Sequence, residues 1–212
     1  MKTIFFDIDS QLDFLYPSGA LYVPGAQHIV PLIASLNRFA AAHGIPVVST
    51  TDAHSENDPE FQLWPPHCVS GTFGQHKAES TLLDGRVVVP NRDVPLDIQG
   101  VRQIVVEKQH VDVFTAPNLT RVIDLLAADR FIVYGVVTEI CVLFAARGLL
   151  KYGKPVAIVT DAIAALSAEA STRALSEIQS AGGTLATTSE ILSSIADSPI
   201  HPSHNPDSEA RT

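Results

Sequence analysis

Cys141 stands in the stretch "YGVVTEICVLF" (134–144) and is one of only two cysteines in the chain. Its neighbours are mostly apolar, and a free cysteine in such company usually packs as a small hydrophobe. The residues before it point elsewhere. Thr138 is a good helix N-cap, which would set Cys141 at the third helical position. A thiol there faces the positive end of the helix dipole and unpaired backbone N–H groups, both of which favour thiolate. The same N–H groups could hold a developing oxyanion. The chain holds other groups with matching chemistry: Asp9 with Asp7 just before it, Asp52 and His54 two residues apart, and Lys108. Taken singly each has a plainer reading. Asp9 could cap a loop, Asp7 could be a partnered carboxylate within a strand, and Lys108 could be solvated. Asp52 and His54 could form an Asx-turn with an exposed histidine.

The elements that must carry these residues decide whether they meet. Six short β-rich runs are visible: "TIFFDI" (3–8), "IPVVST" (45–50), "QIVVEK" (103–108), "RFIVYG" (130–135), "PVAIVT" (155–160) and "TLATTS" (184–189). Short, β-branched and often apolar throughout, they resemble strands buried on both faces of a parallel sheet. Helical patterns fall between them. Ile29, Ile33, Leu36 and Ala40 share one apolar face, with Pro31 near the start where proline is tolerated. Further helices are expected over 119–128, 138–153 and 167–183, the last capped by Ser167, and a short one after Thr188. This alternation predicts an α/β fold: a three-layer, Rossmann-like doubly wound sheet of about six mostly parallel strands with helices on both faces. In such sheets ligands bind beyond the carboxyl ends of the strands. Asp9, Asp52, His54, Lys108, Thr138 and Cys141 all follow or end those strands, so the topology predicts one rim.

The totals narrow the function classes. A chain of 212 residues with 46% hydrophobic content suits one α/β domain, expected over 1–197. The polar, proline-bearing end, 198–212, reads as a disordered tail. A formal net charge of −9 without basic runs argues against nucleic-acid or acidic-membrane partners. No apolar run of about 18 residues predicts a membrane span, and the N-terminus lacks signal-peptide features. Two cysteines make no disulfide framework, which points to the cytoplasm. The piece from Thr51 to Gln99 breaks the strand–helix rhythm, and loops that long are usually functional or disordered.

Four blocks resemble the isochorismatase-like cysteine hydrolases, and among them the nicotinamidase/pyrazinamidase branch most closely. They are "DSQLDF" (9–14) with "SGALYVPGA" (18–26), "TDAH" (51–54) with "WPPHCVSGT" (64–72), "EKQHVDVF" (107–114) and "GVVTEIC" (135–141). The resemblance implies a triad of Cys141 as nucleophile, Asp9 as general acid/base and Lys108 as the cation that holds the pair. It implies a cis peptide between Val136 and Val137, with the N–H groups of Val137 and Cys141 as the oxyanion hole. It implies a divalent metal on Asp52, His54 and His67, zinc foremost with iron or manganese as alternatives. Phe14 and Trp64 match the aromatics that sandwich the substrate ring. The substrate so implied is a small amide, nicotinamide or a close heteroaromatic relative, and a homo-oligomer is expected. Cys68, beside His67, reads as structural.

Three positions depart from the nicotinamidase pattern. Glu60 stands where some members supply a further histidine ligand, and it could reach the metal itself. Gln109 follows the lysine in place of glycine, with a short segment behind it and Val111 where an aromatic is frequent. The metal motif reads Asp-Ala-His. These departures keep two alternatives open: the same triad acting on a ureido or carbamoyl substrate, and an assembly module with a vestigial site.

Overall fold

The computed structural model describes residues 2–197, so the tail expected over 198–212 lies outside the described residues. The first strand, β1 (Thr3–Ile8), is buried along its whole length. Ile4, Phe6 and Ile8 enter one apolar cluster and Phe5 enters the other, as alternation along a strand covered on both faces requires. Six strands follow: β2 (Val47–Asp52), β3 (Arg86–Val89), β4 (Gln103–Lys108), β5 (Arg130–Val136), β6 (Val156–Ala164) and β7 (Thr184–Ala186). They assemble in the order β3-β4-β2-β1-β5-β6-β7, with every pairing parallel.

The sheet thus has seven strands where six are read from the sequence. The additional one, β3, lies inside the long piece 51–99 and forms the edge of the sheet. Only four residues long, with Arg86 and Val88 exposed, it lacks the apolar run of a central strand.

Helices α1 (Leu12–Leu15), α2 (Val30–Ala42), α3 (Leu119–Leu126), α4 (Leu143–Leu150), α5 (Ala168–Ser180) and α6 (Thr188–Ala196) cover both faces. Apolar residues of α1, α2 and α6 pack with Phe5, Ile132 and Tyr134, and those of α3, α4 and α5 pack with Ile4, Phe6 and Val133. In α2 the expected face holds: Ile33, Leu36 and Ala40 are buried, Ile29 precedes them, and Pro31 sits in the first turn. Ser167 caps α5 by accepting from Ala170 N–H. Thr187 and Glu190 form a reciprocal capping box at the start of α6.

This topology fixes where a site can form. From β1 the chain passes to β2, moves out to the edge strand β3, returns to β4 between them, then crosses to β5 and continues through β6 to β7 on the other side. The connections diverge at the β1/β5 boundary, and that is where a crevice opens at the carboxyl ends. Among the described residues no helix is long and apolar enough to cross a membrane.

Candidate active site

The ends of four neighbouring strands converge. Asp9 follows β1, Asp52 ends β2, Lys108 ends β4, and Cys141 follows β5. Asp52 and Lys108 are register partners across β2 and β4, so their side chains leave the same face side by side. Gly135 pairs with Ile8 across β1 and β5. It holds φ 120°, and a Cβ there would lie 2.0 Å from the Ile8 carbonyl oxygen, so only glycine fits. The next peptide but one, Val136–Val137, is cis, as the family resemblance implies.

The Lys108 ammonium is the hub. It lies 2.5 Å from Asp52 Oδ1, 3.0 Å from Asp9 Oδ2 and 3.6 Å from Cys141 Sγ. All four residues are buried. Burial pulls Lys108 toward the neutral form, but Asp52 and Asp9 outweigh it and hold its pKa well above the usual lysine value. Burial pushes Asp52 up to about 6 against the pull of Lys108, with the charge of Asp9 adding to the rise.

Two expectations about the thiol need correction. Thr138 is not the N-cap. The helix opens with a wide turn over Thr138–Val142, capped by extended Val137, before continuing as α4, and Thr138 Oγ1 instead donates to the Ala164 carbonyl at 2.9 Å. Cys141 is therefore the fourth residue of that turn. Nor is the thiol held as thiolate at rest. Burial pushes its pKa well above the ordinary value; Lys108 opposes this, while Asp9 and Asp52 reinforce it. Such a thiol needs a base at the moment of attack, and Asp9 contacts the same ammonium that the thiol does.

Beside the hub, Asp52, His54 and His67 present ligand atoms that all lie within 4.8 Å of one another, each residue buried. His67 Nδ1 is 2.8 Å from the Pro65 carbonyl, which leaves Nε2 as the free lone pair. Burial lowers the His67 pKa, so the neutral, ligating form is favoured. Both ring nitrogens of His54 are buried without a hydrogen bond of good geometry, and Nε2 is 3.9 Å from Asp52 Oδ1. Its Nδ1 lies 3.1 Å from Asp58 Oδ2, the carboxylate–histidine arrangement that commonly backs a metal-ligating imidazole. An orphaned imidazole nitrogen next to a carboxylate and a second imidazole fits a divalent cation. Glu60 lines the same cavity outside this tight set; burial raises its pKa and the charge of Asp52 adds to the rise.

The crevice is small and is lined by Asp9, Phe14, Asp52, Glu60, Trp64, His67 and Cys141 together with apolar groups that include Val111, Val137 and Leu166. Phe14 is buried against His67, ring centroids 5.4 Å apart, and Trp64 is half-buried in the wall. The site residues expected from the sequence are thus brought to one cavity or its immediate rim; Asp7 is not among them and is buried beside Lys77, Ser49 and Asn37. Cys68 is buried and unpaired in a disulfide, and burial pushes its thiol up as well.

Several supporting residues escape a reading of strand ends. Asp13 accepts from Ala20 N–H at 2.9 Å and from Cys68 N–H at 2.7 Å, stapling the segment that bears Phe14 to the one that bears His67. Its carboxylate fills the space where a Cβ of Gly74 would fall. Gln11 accepts from Asp52 N–H at 2.7 Å and donates to the carbonyls of Asp52 and Gln75, at 2.9 and 2.8 Å. Gln109 donates to the Ala53 carbonyl at 3.1 Å, tying the end of β4 to the Asp-Ala-His segment. Phe61 packs on His54 and His67, centroids 5.3 and 5.7 Å away. Only the "DSQLDF" block hinted at Gln11 and Asp13; the other contacts cross long stretches of chain. These bonds, with those from Leu12 and Asp13 N–H to the carbonyls of His76 and Gly74, order the first part of the long 51–99 piece.

A family model described as the isochorismatase domain matches residues 3–93 and 94–190. A curated nicotinamidase/pyrazinamidase of Mycobacterium tuberculosis is 26% identical over 189 residues, covering 82% of this chain and 92% of that protein. The crystal structure of a pyrazinamidase/nicotinamidase from Streptococcus mutans superposes with TM-score 0.75 at 28% identity, covering 87% of this chain and all of the other. A pyrazinamidase of Pyrococcus horikoshii, solved in complex with zinc, superposes with TM-score 0.74 at 27% identity, covering 88% and 99%.

Proposed function

Because the chain belongs to the isochorismatase domain family, we propose that it is a cysteine amidohydrolase that cleaves nicotinamide, or a close heteroaromatic amide, to the carboxylic acid and ammonia. The observation that carries this reading is the placement of Lys108 Nζ among Asp52 Oδ1, Asp9 Oδ2 and Cys141 Sγ, at 2.5, 3.0 and 3.6 Å. Nucleophile and base stand at the wall of a small, largely apolar cavity, and each is in contact with the ammonium buried behind it.

Asp9 takes the Cys141 thiol proton as the sulfur attacks the amide carbon. The carbonyl oxygen becomes an oxyanion, for which the N–H groups of Val137 and Cys141 are the donors. The carbon–nitrogen bond breaks as Asp9 returns the proton to nitrogen, and ammonia leaves a thioester on Cys141. Water then attacks the thioester with Asp9 again as base. The carbon–sulfur bond breaks, the acid departs, and the proton returns to sulfur. Lys108 keeps Asp9 oriented throughout and balances its charge.

Asp52, His54 and His67 are the residues that would hold a divalent metal, zinc foremost, with Glu60 as a further carboxylate at the rim. When bound, the ion supplies a positive charge and an open coordination position suited to a ring nitrogen. Phe14 and Trp64 supply aromatic surface for the ring. Among the described residues that line the cavity there is no arginine or lysine. A ureido acid would bring a carboxylate with no arginine or lysine on the wall to meet it, and this favours the neutral amide.

The test is ammonia release from nicotinamide by metal-supplemented protein, with Cys141→Ala as the control that abolishes it. No turnover across a panel of small amides, metal present, would sink the proposal.

A further inference from the structure

Thr50 lies in β2 two residues before Asp52 and is fully buried. Its hydroxyl engages Asp9 twice. Asp9 N–H donates to Thr50 Oγ1 at 3.1 Å, and Oγ1 donates to Asp9 Oδ1 at 2.5 Å. A hydroxyl has a single hydrogen. With the oxygen already accepting from the Asp9 amide, that hydrogen is directed to Oδ1. The second carboxylate oxygen, Oδ2, is buried 3.0 Å from Lys108 Nζ and has no hydrogen bond of good geometry. The two oxygens of Asp9 are therefore unlike: Oδ1 is committed to Thr50, and Oδ2 keeps an open lone pair beside the ammonium and the thiol.

Thr50 is itself held from the opposite face of the sheet. Its carbonyl accepts from Lys77 Nζ at 3.0 Å, and that ammonium lies 3.4 Å from Asp7 Oδ2. Asp7 Oδ2 also accepts from Ser49 Oγ at 3.1 Å and from Asn37 Nδ2 at 3.2 Å. Asn37 Oδ1 in turn accepts from Tyr134 Oη at 2.5 Å. This polar cluster under α2 fixes the Thr50 backbone from behind while its hydroxyl reaches forward.

We propose that Thr50 is a positioning residue that orients the Asp9 carboxylate and reserves Oδ2 for the Cys141 proton. The assignment rests on the amidohydrolase reading for its catalytic readout but not for its chemical one. Serine can make both bonds; valine, of the same shape, can make neither.

Steady-state kinetics on nicotinamide and the rate of Cys141 alkylation by iodoacetamide, followed by mass spectrometry, test it together. Thr50→Val is expected to lower kcat about ten- to hundredfold with KM within about twofold, and to slow alkylation by a similar factor, as loss of one charge-assisted hydrogen bond implies. Thr50→Ser is expected to restore both to within about threefold of the parent protein. Thr50→Ala replaces Thr50→Val if the latter is insoluble. Unchanged kcat and alkylation in the hydroxyl-free variant would overturn the assignment. So would a serine variant as impaired as the valine one, since the methyl group would then be what matters. If the parent protein releases no ammonia from nicotinamide while alkylation still depends on the hydroxyl, the substrate reading fails and the role of Thr50 stands.

Discussion

Replacing Lys108 by methionine removes the ammonium from a buried cluster and leaves two carboxylates facing each other. Asp52 Oδ1 and Asp9 Oδ2 lie 2.5 and 3.0 Å from the nitrogen, and Lys108 is 1% exposed, so water cannot take over its role. Removing one partner of a buried ion pair typically costs about 3–5 kcal/mol, because the remaining charge stays uncompensated. At about 2–4 °C per kcal/mol for a protein of this size, the midpoint should fall by roughly 6–20 °C. The assay is thermal and urea unfolding of EDTA-treated protein, each followed by far-UV circular dichroism. Cys141→Ala is the control, since it trims one small side chain and leaves every charge in place. Saturating zinc should raise the stability of Lys108→Met more than that of the parent protein, because Asp52 is then free of the lysine. A metal-free Lys108→Met variant within about 1 kcal/mol of the parent protein would refute the reasoning, for the ammonium would then not be what holds the two carboxylates together.

Metal affinity should be pH-dependent with a defined sign. Asp52 must be ionised to ligate and titrates near about 6 in the metal-free protein, so affinity should be level above that pH and fall about tenfold for each unit below it, read by competition with a chromogenic chelator. Asp13→Ala should cost about 2–4 kcal/mol by leaving the Ala20 and Cys68 N–H groups without their acceptor, and should expose the segment around His67 to limited proteolysis. Gly135→Ala places a methyl 2.0 Å from the Ile8 carbonyl at φ 120°; a loss above about 3 kcal/mol is expected, seen as insoluble or unfolded protein.

How much of this could be read from the sequence follows from which forces are local. The central strands announce themselves because both faces are buried, so "TIFFDI" and "QIVVEK" need only hydrophobicity to be recognised. The strand β3 does not, because an edge strand is half solvated and four residues carry little pattern. The rim residues were legible because open parallel sheets place ligands at strand ends, whatever the loops do. The state of the thiol was not. A helix start at Thr138 argues for thiolate, but burial wins over the neighbouring ammonium, and burial is a tertiary quantity. Thr50 was unreadable for a similar reason. It sits within a strand that looks apolar and β-branched, where threonine is an ordinary choice, and its partner Asp9 is 41 residues away. The register of β2 against β1, which sets that contact, is fixed by packing across the whole sheet.

The charges explain why triad and metal set form one electrostatic unit. Asp9, Asp52 and Glu60 bring three carboxylates to one cavity, while among the described residues Lys108 is the one fixed cation placed against them. His54 and His67 add no positive charge in the neutral form that ligation needs. Burial pushes Asp52 up to about 6 against the pull of Lys108, so one ammonium does not offset the cost of enclosing these carboxylates. A divalent ion on Asp52, His54 and His67 would correct this imbalance, and would do so through the same carboxylate that holds the lysine. Glutamate at position 60, where a neutral histidine would leave the balance unchanged, deepens the deficit. This chain should therefore depend on its metal for the charge state of the triad as well as for contact with a substrate.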